Sequence, residues 1–300
     1  MKTMNLLSKS ALAILLVGGM MFTACKKEKS TVAEQEAVEA TVESTVNDNE
    51  ADDVYDDVFN NTMGVGAESG EDIGITAGIG VFGRMENGSL TGRVDSTQRC
   101  FTVTVTPRDR GVFPKTVVIN FGNGCLGRDG KLRKGKIITV FTGPMRVPGS
   151  KATTTFDGYK VDSVAVAGTH QVENVSTSSN ASFTTRVLNG QLTWDSGRWV
   201  KWSTTRTVTQ IEGNGTPMFP LDDIFSITGA GRGENSRGKS WGHEVLEPLI
   251  KKFTCRWISK GVMRVRFNDI VGVLNFGNGD CDNKATITVN GNVRGITLPR

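Results

Sequence analysis

The chain has 300 residues, 36 of them glycine and only two histidine, with a formal net charge of +4. The charge is unevenly divided: residues 26–72 carry three basic and 14 acidic residues, whereas residues 73–300 carry 30 and 17. Residues 73–300 are numerous enough for one large β domain or two small ones. The two histidines lie in no metal-ligand spacing, and no Gly-x-Ser-x-Gly element marks a nucleophile. We therefore predict no catalytic residue, no metal site and no cofactor.

Residues 1–24 have the form of a secretory signal. Lys2 and Lys9 form a basic leader, and the apolar run 11–24 is shorter than the ~20 residues that a membrane-spanning helix needs. Phe22-Thr23-Ala24-Cys25 resembles the lipobox of bacterial lipoproteins, in which the cysteine is lipidated and becomes the mature N-terminus. We predict lipidation at Cys25; the alternative is an ordinary cleaved signal that leaves an unpaired thiol.

The acidic segment 25–72 is predicted to be a lipidated, flexible tether. Alanine and glutamate could support a transient helix over residues 33–46, but that stretch has no clear apolar stripe. Such a helix would have nothing to bury. We expect the segment to lift a folded domain, residues 73–300, off the membrane.

A pentapeptide, Asn-Phe-Gly-Asn-Gly, occurs at 120–124 and again at 275–279, and a cysteine follows each copy. A second cysteine precedes each copy at nearly the same spacing, which indicates related units near 100–145 and 255–300. Because a β-hairpin brings its two open ends together, each cysteine pair would close a hairpin. We predict the bridges Cys100–Cys125 and Cys255–Cys281. The rival is a metal site of four thiols, which the long spacings disfavour.

The glycines of the pentapeptides, at 122, 124, 277 and 279, are expected at positive φ or in bulges. Their second asparagines, Asn123 and Asn278, are expected to bond neighbouring backbone groups.

Residues 73–300 are predicted to be strands and tight turns almost throughout. Asn-Gly and Asp-Gly pairs favour type I′ hairpin turns, and they occur at 87–88, 129–130, 157–158, 189–190 and 290–291. We expect an all-β fold: an antiparallel meander, a sandwich or a partly closed barrel that contains an internally duplicated hairpin module.

Two glycine-rich stretches and one acidic pair have structural interpretations. Residues 78–83 match a dinucleotide fingerprint, but their flanks are β-type and no helix is predicted after them, and residues 229–233 are expected to form a loop. Asp222 and Asp223 could serve glycoside hydrolysis only if a cleft held their carboxyl groups about 5–10 Å apart. We expect them in a turn. Calcium at residues 280–283 is disfavoured, because the acidic series of a calcium loop is incomplete.

Three tryptophans, Trp194, Trp199 and Trp202, flank a predicted turn at 195–198. In that hairpin Trp194 and Trp199 would face each other and stabilise the sheet. Alternatively, the exposed rings would stack on sugars, so the three are also possible glycan-binding residues.

The signal with Cys25, the acidic segment and the two pentapeptide-cysteine units together resemble predicted lipoproteins common in Bacteroidota. The resemblance implies an outer-membrane lipid anchor and no activity, and it leaves the periplasmic and cell-surface faces open. We expect a non-catalytic binding or structural protein; the alternative is a glycan-binding or glycan-hydrolysing one. The basic domain could bind an anionic glycan or lipopolysaccharide, although solvated strand faces are the favoured interpretation of its charges. No nucleic-acid partner is expected.

Overall fold

The computed structural model describes residues 35, 38–48, 50–55, 57–58, 100–127, 130–216, 220–255 and 257–298. The signal, Cys25, the glycine pattern at 78–83 and the turn predicted at 87–88 lie outside the described residues. So does residue 129 of another predicted turn.

The predicted all-β class is confirmed, and of its three alternatives the antiparallel meander is the one observed. Each described strand pairs with the next along the chain, except that the short β3 pairs only with β4, beside β2. The sheet does not close, because the edge strands β1 and β14 do not pair. The strands are β1 Thr102–Thr106, β2 Lys115–Asn120, β3 Cys125–Leu126, β4 Leu132–Phe141, β5 Lys151–Val161, β6 Val164–Asn174, β7 Ser182–Trp194, β8 Trp199–Glu212, β9 Ile224–Asn235, β10 Ser240–Lys252, β11 Lys260–Phe267, β12 Ile270–Asn278, β13 Lys284–Val289 and β14 Asn292–Thr297.

One α-helix, α1, comprises the described residues between 35 and 58 and crosses one face of the sheet. It reaches from Thr41, packed against Gly272 of β12, to Asp57, which bonds Arg133 of β4. Eight strand spacings separate β4 from β12, so a flat sheet would be ~38 Å wide there. The helix between these two contacts is only ~24 Å long. The sheet must therefore curl around α1, and we call the side facing α1 the inner face.

Bulges in β5 and β7 break the two-residue period of the sheet. The Asp157-Gly158 and Asn189-Gly190 pairs, predicted as hairpin turns, lie inside β5 and β7, where the register shifts against both neighbouring strands. These two turn predictions are wrong, because the positive φ that suits a type I′ turn equally suits a bulge. Val187 and Gly190 are both buried although they are an odd number of residues apart. The bulge therefore shifts by one residue the pattern of β7 side chains that face the inner side.

Glycines on the neighbouring strands make room for these bulges. A Cβ on Gly135 would lie 2.2 Å from the Gly158 carbonyl oxygen, and one on Gly168 would lie 2.6 Å from that of Asn189. Both glycines have positive φ. A row of bulges across a sheet increases its twist and bending, which is the curvature that α1 requires.

Both predicted disulfides are present, and each closes a hairpin. Cys100 bonds Cys125 below the β1–β2 hairpin, and Cys255 bonds Cys281 beside the β11–β12 hairpin. The two hairpins run in opposite directions, because nine strand reversals separate β2 from β12. The turn expected at Asn290-Gly291 is also confirmed, and Asn268-Asp269 forms the turn between β11 and β12; both asparagines have φ 51°.

The two pentapeptides share one local conformation, although its details differ from the prediction. The first asparagine forms the turn: Asn120 Oδ1 accepts from Gly122 N at 2.9 Å, and Asn275 Oδ1 accepts from Gly277 N at 2.9 Å. Asn123 and Asn278 were expected in this role, and that prediction is wrong. The positive φ expected for the glycines is found at 122, 277 and 279 but not at Gly124.

The two copies supply a matched pair of substitutions. Gly279 has φ 117°, which a side chain resists, whereas Gly124 is free of that constraint and has only ordinary contacts about its Cβ position. Gly279→Val should lower the free energy of unfolding by ~1–3 kcal/mol. Gly124→Val should change it little. Urea denaturation of both variants tests this, and equal losses would contradict it.

Candidate functional site

Two apolar clusters lie on the inner face, and α1 bridges them. One contains side chains of β1, β2 and β4–β8 together with Ala51, Tyr55 and Val58 of the helix. The other contains side chains of β10–β14, and Val38 packs against it. Between the clusters the middle of α1 meets polar groups. We call Asp48, Trp202, Arg206 and His243 the polar seam.

Asp48 is the centre of the polar seam. Its Oδ1 accepts a hydrogen bond from Trp202 Nε1 at 2.6 Å, and its Oδ2 accepts one from Arg206 Nη2 at 3.2 Å. His243 Nδ1 lies 3.0 Å from Oδ1, at ion-pair distance but out of line for a hydrogen bond. The side chains of Asp48 and His243 are 4% and 2% exposed. A helix residue is thus hydrogen-bonded to strand β8 and in close polar contact with strand β10.

The surroundings hold Asp48 in its charged form. Burial acts to raise the pKa of its carboxyl group, but His243, Arg206 and the Trp202 N–H together bring that pKa below its ordinary value. Arg206 also pairs with Asp52, one turn along α1. A carboxylate that is desolvated but compensated in this way stabilises the docked helix and would be costly to leave unpaired.

Glycines of β9 admit the rings of β10 to the seam. Residues 229–233, expected to form a loop, lie instead within strand β9. A Cβ on Gly231 would lie 2.4 Å from His243 Cε1, and one on Gly233 would lie 2.2 Å from Trp241. Because Gly231 and Gly233 have no side chains, the rings of His243 and Trp241 can lie across β9.

Further ion pairs secure α1 on either side of the polar seam. Near its start Glu43 pairs with Arg237 and Lys239, at 2.7 and 2.9 Å, in the β9–β10 turn. Near its end Asp57 pairs with Arg133 at 2.8 Å and with Lys131. The acidic helix thus neutralises basic groups along one end of the sheet.

The interpretation of this segment as a flexible tether is wrong for the described residues of α1. Between residues 40 and 48 the buried surface of the helix is formed by small and polar side chains, and apolar side chains are buried only further along, at Ala51, Tyr55 and Val58. Ser44 and Thr45 bond the carbonyl oxygens of Ala40 and Thr41, so their buried hydroxyls are satisfied within the helix. Gly190 and Gly272 let the helix approach, since a Cβ on either would lie within 2.8 Å of Tyr55 or Thr41.

Tyr55 anchors the C-terminal half of α1 in the larger apolar cluster. Its hydroxyl donates to the Ala167 carbonyl oxygen at 2.6 Å, and its ring stacks on Trp202 with 5.8 Å between centroids. His170 packs 5.9 Å away, and burial lowers its pKa to about 4. His170 is therefore neutral in the folded protein at neutral pH.

The structure separates the three tryptophans. Trp199 pairs with Thr193 rather than with Trp194, so the predicted cross-strand aromatic pair is wrong. Trp194 packs against the apolar cluster under Arg198, and Trp202 is buried in the polar seam. Trp199 alone lies on the outer face, with Lys201 Nζ 4.9 Å from its ring.

Asp222 and Asp223 hold the β8–β9 loop, as expected. Asp222 Oδ2 accepts from Thr216, and Asp223 Oδ1 accepts from Gln210, both at 2.7 Å. Burial and the neighbouring Asp222 raise the pKa of Asp223. Within the described residues, no group of three or more His, Cys, Asp and Glu side chains could hold a metal ion.

Sequence reasoning missed the polar seam. Its members come from α1, β8 and β10, far apart in the chain, and each looks ordinary in its own segment. The available signal was the helical spacing of Thr41, Ser44, Thr45 and Asp48. It has the helical period without the hydrophobicity that usually marks a buried face.

Comparisons of this chain with protein-family models, with curated proteins and with solved structures give no match. Among the described residues, no helix has the length and apolar character to cross a membrane.

Replacing Asp48 tests the polar seam. Asp48→Asn removes the charge that pairs with Arg206 and faces His243, and should lower the free energy of unfolding by ~3 kcal/mol. Glu39→Gln, an exposed change on the same helix, is the control and should have little effect. Urea denaturation measures the free energy of unfolding of both variants. If Asp48→Asn left it unchanged, the polar seam would contribute nothing to stability.

Acid should destabilise the protein through His170. In the unfolded chain this histidine has its ordinary pKa of 6.5 and is protonated below that pH, whereas in the folded protein it stays neutral down to about pH 4. The stabilisation is therefore complete above pH 6.5, and ~3 kcal/mol is lost as the pH falls to 4. His170→Phe should flatten the curve of unfolding free energy against pH in this range. Parallel curves for the two proteins would refute this assignment.

Proposed function

We propose that this is a lipid-anchored, extracytoplasmic protein of the outer membrane that catalyses no reaction and presents its β-sheet as a binding or structural scaffold. The signal, the lipobox-like sequence ending in Cys25 and the two disulfides support an exported, oxidised location. The resemblance to predicted lipoproteins of Bacteroidota supports the same cellular location.

The docking of α1 against the sheet carries the scaffold proposal. Residue 38 of the helix is only 13 residues beyond Cys25, which limits the connection to ~45 Å when fully extended. The sheet is then held close to the membrane. A tether of 48 residues, the expectation from sequence, would have allowed a far longer reach.

The ionisable groups with the most unusual surroundings support a role without chemistry. Asp48 and His243 are buried beneath α1, where a substrate does not reach them, and their contacts fasten the helix. Asp222 is bonded to Thr216 of its own loop, and Asp223 to Gln210 near the end of β8. Hydrolysis by this pair therefore has no support from the geometry.

Glycan binding is the second candidate, and the position of Trp199 favours it. This ring lies on the outer face beside Lys201, clear of the helix. Trp202, buried and bonded to Asp48, is withdrawn as a glycan-binding residue, and Trp194 is largely covered by Arg198 and the apolar cluster.

The anchor is tested by Cys25→Ser in the native host. The wild-type protein should incorporate an alkynyl fatty acid and partition into the detergent phase, whereas Cys25→Ser should do neither. Ser30→Ala, five residues downstream, is the control and should behave as wild type. Unchanged labelling and partitioning of Cys25→Ser would reject the lipid anchor.

A further inference from the structure

We propose that the outer face of strands β8–β11 binds an anionic saccharide chain between Arg232 and Arg266. We call Arg232, Gly242 and Arg266 the arginine notch. The proposal deepens the binding role above and does not depend on the lipid anchor.

Strand register places the arginine notch without ambiguity. Arg232 of β9 pairs with Gly242 of β10, and Gly242 pairs with Arg266 of β11. The adjoining His243 and Val265 are buried on the inner face. Successive side chains of a strand alternate, so all three members of the notch face outward. Two strand spacings put the arginine Cα atoms ~10 Å apart.

The charged groups around the arginine notch leave its two arginines without a bonded partner. Glu244 is bonded to Arg264, and that contact, with a smaller contribution from Arg266, lowers the pKa of the glutamate. Glu234 lies directly opposite Lys201 in the strand register. Within the part of the chain that the structure describes, Arg232 and Arg266 are both exposed and make no hydrogen bond or ion pair with a protein group.

The floor of the arginine notch is open backbone. Among the described residues, a Cβ on Gly242 would meet only the Gly231 carbonyl oxygen, at 3.5 Å, so none of them fills the space directly above the glycine. Guanidinium groups bind carboxylate, sulfate and phosphate oxygens through paired hydrogen bonds. The notch therefore fits a ligand that carries acidic groups and approaches the sheet closely.

The surroundings of the arginine notch favour a saccharide over other polyanions. Ser203 pairs with Arg232 and provides a hydroxyl group in the same row, while Trp199 and Lys201 lie on the same face of β8. An aromatic ring, hydroxyl groups and separated cations match a chain of hydroxyl-rich rings with spaced acids. A nucleic-acid backbone would need a continuous basic track, and Glu234 and Glu244 interrupt one at this face.

The test uses the purified full-length chain in detergent, titrated calorimetrically at low salt with three hexasaccharides. Hexagalacturonate carries carboxylates, a heparin hexasaccharide carries sulfates, and maltohexaose is neutral. At least one anionic hexasaccharide should bind, more weakly as salt is added, and maltohexaose should not. Binding by the carboxylated or by the sulfated probe alone would identify the acidic group that is recognised.

Two double variants of equal charge locate the binding site. Arg232→Ser with Arg266→Ser should weaken binding by about tenfold or more, as the loss of a charge-assisted contact does. Arg108→Ser with Arg146→Ser removes the same charge from two exposed loops and should leave affinity unchanged. Circular dichroism and urea denaturation establish that both variants are folded.

Three outcomes would overturn the proposal. Wild type could bind none of the hexasaccharides, or both double variants could lose affinity equally, which would indicate attraction to net charge alone. The third is that the Arg232 and Arg266 variant keeps saccharide binding but loses binding to anionic phospholipid vesicles. None of these outcomes bears on fatty-acid labelling at Cys25, so the lipid anchor and the arginine notch are tested independently.

Discussion

The burial of one carboxylate, that of Asp48, organises this molecule. A charge removed from water is stable in a protein only if partners replace its hydration, and Trp202, Arg206 and His243 provide them. Those partners belong to two strands separated by the glycine-rich β9, so the helix fixes how the strands lie. The curl of the sheet and the connection between the two apolar clusters both depend on this docking.

The sheet is shaped for the helix by residues that contribute little hydrophobic area. Positive-φ glycines and bulges bend the strands, while Gly190 and Gly272 admit Tyr55 and Thr41. The duplicated hairpins lie toward the two ends of the strand order, and a disulfide closes each of them. A sheet that is curved but not closed has two unpaired edges. Disulfides near those edges stabilise it by constraining the unfolded chain.

The fold class and the disulfides could be predicted from the sequence because their signals are local. Asn268-Asp269 and Asn290-Gly291 behave as turns, and the cysteine spacing gives the bridges. Asp157-Gly158 and Asn189-Gly190 could not be distinguished from turns, since a bulge needs the same backbone angles. The helix was missed for a different reason: the first half of its buried face is polar, and Trp202, which bonds Asp48, lies about 150 residues away. The arginine notch, too, is visible only once strand register is known.

Hydrogen–deuterium exchange of α1 in the native protein tests the central claim, that this helix is part of the folded core, most directly. A docked helix exchanges through large opening reactions, so amides of residues 44–55 should be protected as strongly as those of β7 and β8. Exchange of these amides within seconds, while β7 and β8 stay protected, would show that the acidic segment is detached. That result would contradict the docking of α1 through the polar seam.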